Sequence, residues 1–150
     1  GPNYIESSSS YKLNEEEKPI LDLILEPTKI YVSCISGVLS ETFSDVHAIA
    51  HITGGGPKAN IIRSIPESYK CVLEGRNFPI PPLMTWLKEE GNLSKEEFFS
   101  VFNGGVGMAL VVQKNSVEKI SSIIEKAGES VVYLGSIASR SGSESQIEIN

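Results

Sequence analysis

The residues best suited to chemistry lie in one segment, Ala48-Ile49-Ala50-His51-Ile52-Thr53-Gly54-Gly55-Gly56-Pro57-Lys58-Ala59-Asn60. A strand pattern runs into three consecutive glycines and then into a helix pattern. Glycine has no Cβ, so its main-chain N–H can come close to a ligand, and unpaired donors at a helix entry attract anions. Those are the parts of a phosphate cradle. His51 and Thr53 add side-chain hydrogen-bonding groups at the strand's exit. Between residues 51 and 70, Lys58, Arg63 and Lys70 stand against only Glu67, so the segment is locally positive. The spacing fits neither GxxxxGK(S/T) nor GxGxxG, which separates it from the two common nucleotide loops. The competing reading is a tight strand-to-helix turn that needs positive φ.

A second glycine segment is Phe102-Asn103-Gly104-Gly105-Val106-Gly107-Met108. Here a helix pattern precedes and a strand pattern follows, the reverse of the dinucleotide-binding order. Helix C-capping accounts for Gly104; the further glycines suit a close approach to a ligand or to the first glycine loop. Other constellations read as structural. Trp86, Phe98, Phe99 and Phe102 recur at helical spacing and are expected in the core. Glu89-Glu90 and Glu96-Glu97 read as solvated or capping carboxylates, and His47 as a surface histidine. The two cysteines, Cys34 and Cys71, match no metal-ligand spacing, and two histidines do not complete a zinc set. No metal site is expected, and the thiols read as reduced, in a cytoplasmic protein.

The elements that must position these residues alternate in type. Strands are expected at Thr28–Val32, Val46–Ile52, Tyr69–Leu73, Val106–Val112 and Val131–Ile137. On the second of these, Val46, Ala48, Ala50 and Ile52 share one face and both histidines the other. A short helix is expected from Ile35 to Phe43, a second over Ala59–Ile65, and a third over Leu83–Glu90, opened by Pro81-Pro82 and ended by Gly91. Ser94-Lys95-Glu96-Glu97 has the capping-box form ahead of Phe98–Phe102. A last helix over 117–127 is stopped by Gly128. Strands interleaved with amphipathic helices predict an α+β (α/β-like) domain, a mixed sheet with helices packed on it.

Residues 1–19 read as a linker or interdomain connection, 20–138 as the folded domain, and 139–150 as a polar tail whose end is either an edge strand or frayed. The length of 150 residues suits one domain. Nineteen acidic against thirteen basic residues give a net charge of −6, which excludes a nucleic-acid polymer as partner. No apolar run approaches the roughly 20 residues of a bilayer span, so no membrane partner is expected.

Several blocks together resemble the phosphoribosylaminoimidazole (AIR) synthetase family. They are Leu25-Glu26-Pro27-Thr28-Lys29-Ile30-Tyr31-Val32, Val46 through Gly56, Pro79-Ile80-Pro81-Pro82, Trp86-Leu87 with Glu90-Gly91-Asn92, and Phe102-Asn103 through Met108. They stand in the family's order and span residues 20 to 138. The resemblance implies a ligase of purine biosynthesis that closes the imidazole ring of formylglycinamidine ribonucleotide with ATP and Mg²⁺. The products are aminoimidazole ribonucleotide, ADP and phosphate. It also implies that the chain corresponds to the C-terminal domain. The N-terminal domain, which in the family carries most ATP and Mg²⁺ ligands and builds the homodimer, is expected to be a separate part, leaving this chain inactive alone. Carried over by position, His51, Thr53, Gly54, Gly55 and Gly56 resemble the family's loop at the active-site cleft, and Asn103, Gly105 and Gly107 its second glycine segment. A substrate- or phosphate-binding role follows for all eight; no catalytic base is assigned. The alternative is a non-catalytic module that binds a phosphorylated metabolite or a protein.

Overall fold

A computed structural model of the chain describes residues 20–150, so the linker expected over 1–19 lies outside the described residues. Helix α1 (Ile20–Ile24) is followed by an irregular segment that enters α2 (Val32–Thr42). The strand expected at Thr28–Val32 therefore does not form. Its β-branched residues favour extended backbone, but a strand also needs a hydrogen-bonded neighbour, and none lies beside it among the described residues. Ile30 and Val32 stay 81% and 71% exposed, the values of a surface strip rather than a core strand.

The sheet is split in two. Strand β1 (Val46–His51) pairs antiparallel with β3 (Met108–Val112). Val46 faces Val112 and Ala48 faces Val111, so His47 is an extra residue, a bulge in the ladder. Beyond it, Ala50 and Ile52 turn inward while His51 faces out. In the second sheet, β2 (Tyr69–Leu73) lies between antiparallel β4 (Gly135–Ser139) and parallel β5 (Ile147–Ile149). The domain is α+β, and its mixed strand directions reside in this second sheet. The expected tail thus returns as an edge strand, and Ile147 and Ile149 pack against the core. Strand β4 starts later than expected: Val131, Val132 and Tyr133 remain exposed, and pairing begins only at Gly135, where a side chain would strike the Val72 carbonyl.

Helices α3 (Gly56–Ile61), α4 (Pro82–Glu90), α5 (Lys95–Val101) and α6 (Val117–Lys126) complete the fold. The cap of α5 forms as expected: Glu97 N–H donates to Ser94 Oγ at 3.2 Å and Ser94 N–H to Glu97 Oε2 at 2.9 Å. The Ser94 main-chain N–H, and after it the Ser94 side chain, hold the Glu97 carboxyl below its ordinary pKa. Helix α6 ends on Gly128 at φ 87°, with Gly128 N–H reaching Glu125 O and Glu129 N–H reaching Ile124 O. At the end of α4 it is Asn92, at φ 47°, that takes the left-handed conformation, not Gly91.

One core cluster centres on Ile52, Ile61, Leu73, Phe78, Phe98 and Phe99. Phe98 is 1% exposed, and its ring lies 5.1 Å from that of Phe99. Trp86, expected with them, is only half-buried on α4. Val38 and Cys34 of α2 and Ile120 of α6 are also buried, outside that cluster, where α2 packs on α6. Cys34 and Cys71 are free and buried; burial pushes the Cys71 thiol up to about 11, so it stays protonated and inert at neutral pH.

The loop before β5 is clipped to the sheet through Glu144. Ser141 N–H donates to its carboxylate at 3.0 Å, and Lys70 of β2 reaches it at 3.0 Å and Glu148 at 3.2 Å. Led by the Ser141 bond and then by Lys70, these contacts depress the Glu144 pKa from 4.5 to about 2. A depressed carboxylate stabilises the fold above its unfolded pKa, and that contribution is lost as pH falls through the folded value. The urea midpoint should therefore decline between pH 4.5 and about 2, and Glu144→Gln should flatten the decline, the two proteins converging near pH 2. Parallel curves for the two proteins over that range would refute the role given to Glu144.

Candidate functional site

Two turns at the ends of the paired strands β1 and β3 build the site. The first is the glycine triplet between β1 and α3. Gly55 and Gly56 sit at φ 92° and 59°, a conformation that side-chain-bearing residues rarely adopt. Gly56 is also buried against α5: a Cβ there would overlap the Phe99 carbonyl and come within 2.8 Å of the Phe102 carbonyl. Gly56 N–H donates to Thr53 O at 3.1 Å and closes the turn. Asn60, 8% exposed, ties the loop from below. Its Nδ2 donates to Gly56 O at 2.8 Å and to Gly54 O at 3.2 Å, while Thr53 Oγ1 leans on its Oδ1 at 3.4 Å. The loop's carbonyls are thus turned inward to Asn60. Among the described residues, the Thr53, Gly54 and Gly55 amides have no main-chain partner.

The second turn spans Asn103 to Val106. Val106 N–H donates to Asn103 O at 3.2 Å and Gly105 N–H to Asn103 Oδ1 at 2.9 Å, with Gly104 and Gly105 at φ 64° and 87°. This is a tight turn with two left-handed central residues, and not the helix cap expected of Gly104. Packing closes both positions to any side chain: Gly104 abuts the Phe78 and Phe99 rings, and Gly105 the Pro79 carbonyl. Gly107 is different. Its neighbour is the phenol of Tyr31, onto whose hydroxyl a Cβ would fall, and its carbonyl accepts the Ile52 N–H at 2.8 Å.

Between these turns and the segment before α2 lies an open cleft of about 320 Å³, lined by His51, Ile52, Thr53, Asn103 and Gly107 on one side and by Thr28, Lys29 and Tyr31 on the other. Of the eight sequence-derived site residues, His51, Thr53, Asn103 and Gly107 meet here. Gly54 lies beside the cleft with open space around it, while Gly55, Gly56 and Gly105 serve the turns. The Tyr31 and His51 rings meet edge-on, centroids 6.1 Å apart.

The locally positive segment dissolves on folding. Lys70, on β2 of the other sheet, is paired with Glu144 and Glu148, Arg63 is exposed on the 3₁₀ turn after α3, and Lys58 does not line the cleft. Lys29 is instead the cation at the cleft, with Nζ 2.6 Å from Glu129 Oε2; this hydrogen bond raises its pKa. Sequence reasoning placed Lys29 and Tyr31 on a strand and so missed them as site residues. The signal for them was their place in the block Leu25–Val32. The cleft lining contains no carboxylate, and no group of three or more His, Cys, Asp or Glu side chains gathers among the described residues. A hard cation such as Mg²⁺ requires such oxygen donors, so these residues do not fit it.

The glycines separate into two kinds by what they touch. Gly56→Ala meets backbone carbonyls at positive φ, and should cost about 2 kcal/mol or more, read as a lower urea midpoint. Gly107→Ala meets the end of a side chain, so Tyr31 should swing outward: its ring resonances shift while the midpoint changes far less. Equal destabilisation by the two substitutions would contradict this assignment.

The family described as AIR synthase related protein, C-terminal domain, matches residues 5–148 of the chain.

Proposed function

The chain belongs to the AIR synthase related family as its C-terminal domain, and from that premise we propose that it supplies part of the substrate site of the ATP-dependent cyclo-ligase of purine biosynthesis. The reaction converts formylglycinamidine ribonucleotide and ATP into aminoimidazole ribonucleotide, ADP, phosphate and a proton. ATP supplies the phosphoryl group that makes the formyl oxygen a leaving group. The observation that carries the reading is the meeting of His51, Thr53, Asn103 and Gly107 in one cleft of a chain that matches this family over nearly its whole length.

In this reading the chain's own groups bind and orient. The Thr53 and Gly54 amides and the Asn103 side-chain amide offer donors to a phosphate or ribose hydroxyl, and His51 supplies a further polar contact at the rim. Donors held by rigid turns lose little freedom on binding, which favours a small polar ligand in an open cleft. As the family resemblance implies, ATP and Mg²⁺ belong mainly to the N-terminal domain of such an enzyme, and no step is assigned to them on this chain. The exposed strip of Leu25, Ile30 and Val32 is the surface that this domain would cover, and the complete enzyme would be a cytoplasmic homodimer.

Incubated with ATP, Mg²⁺ and formylglycinamidine ribonucleotide, the isolated chain should form no aminoimidazole ribonucleotide, whereas the N-terminal domain added in trans should restore turnover. Ribose 5-phosphate should shift the amide resonances of Thr53, Gly54 and Gly107. Turnover by the chain alone would overturn its dependence on a second domain. Shifts confined to other surfaces would overturn the cleft as the substrate site.

A further inference from the structure

Lys29 is the one cation among the residues lining the cleft, and it reaches there from the irregular segment between α1 and α2. Its Nζ is held 2.6 Å from Glu129, a residue 100 positions away that follows the C-terminus of α6. The partners are unequal. The Lys29 side chain is 60% exposed and that of Glu129 only 20%. Glu129 is fixed at its main chain by its N–H bond to Ile124 O at 3.2 Å, just after Gly128. Lys29 sits on chain without secondary structure, at the end of a flexible stem with three donors. Lysine is therefore the partner free to move.

We propose that Lys29 selects an anionic ligand for the cleft, and that Glu129 is a displaceable counter-ion which holds Lys29 at the rim until a phosphate group takes its place. The inference rests on the reading of the cleft as a phosphate-ester site and adds the group that sets its charge preference. An ion pair with one well-exposed partner is weak, so exchanging it costs little. The exchange also discriminates. A carboxylate ligand offers Lys29 only what Glu129 already gives, whereas a phosphate dianion brings greater charge and more acceptor oxygens. The same pair steadies the segment that carries Tyr31 against Gly107 and so holds the cleft's second wall.

The test is titration with ribose 5-phosphate, read from the Thr53 and Gly107 amides, in the wild type, Lys29→Gln, Glu129→Gln and the double variant. Lys29→Gln should weaken binding about tenfold, the loss of one charged hydrogen bond. Glu129→Gln should tighten it about threefold, because the competing anion is gone. The double variant should match Lys29→Gln, since Glu129 acts only through Lys29. A purely structural ion pair predicts weaker binding for both single variants, and that result would overturn the proposal, as would unchanged affinity in Lys29→Gln. A wild type whose cleft amides ignore ribose 5-phosphate would remove the phosphate-site reading itself, and this inference with it. A wild type that responds, beside a Lys29→Gln that responds equally, removes only the role of Lys29.

Discussion

The contact on which the site depends is that of bare backbone against the aromatic residues around α5. Phe98 fills the core, and the tilted rings of Phe99 and Phe78 lie 4.6 Å apart beside it. Both glycine turns rest on this group: Gly56 on the carbonyls of Phe99 and Phe102, Gly104 on the rings of Phe78 and Phe99. Any Cβ at these points would push the turns off their support, and positive φ would strain it further. Because the two turns share one floor, they are held at fixed distance. Thr53 and Asn103 then face a common cleft, with Thr53 Oγ1 turned to Asn60 and Asn103 Oδ1 accepting from Gly105 N–H.

The remaining wall is held by quite different means. The chain from 25 to 31 has no ladder hydrogen bonds; it is secured by the Lys29–Glu129 pair and by Tyr31 lying on Gly107. A rigid wall built on packing thus faces one attached by polar and edge contacts. Few buried apolar contacts mean a low free energy of local opening, so the second wall is the part able to adjust to a ligand.

Much of the fold could be read along the chain. The capping box at Ser94 and the Gly128 stop are decided by neighbours within a few residues, and both stand in the structure; the strand at Tyr69–Leu73 stands because β4 and β5 pair with it. Expectations failed where a distant partner decides. The β-branched run Thr28–Val32 has strand propensity and no neighbouring strand; Val131 to Tyr133 likewise stay outside β4. Of the residues lining the cleft, His51 and Thr53 stood out by type at a strand's exit and Asn103 and Gly107 through the family resemblance, while Lys29 and Tyr31 were hidden by a strand assignment. The glycine motifs were legible as motifs, but their division into turn-forming and cleft-facing members was not.

The sequence by itself determined the α+β alternation, the two glycine turns and the family to which the chain belongs. Each rests on local chemistry: periodic burial, capping groups and residues without a Cβ. Only the tertiary structure decided where charge resides and which residues face the cleft. Lys70, on β2 of the second sheet, is paired with Glu144 of the loop before β5 and Glu148 of β5, while Lys29 is brought to the cleft and tied to Glu129 across 100 residues. Electrostatic interaction falls with distance in space, not along the chain, so the sign of a site is settled only when the fold has chosen its neighbours.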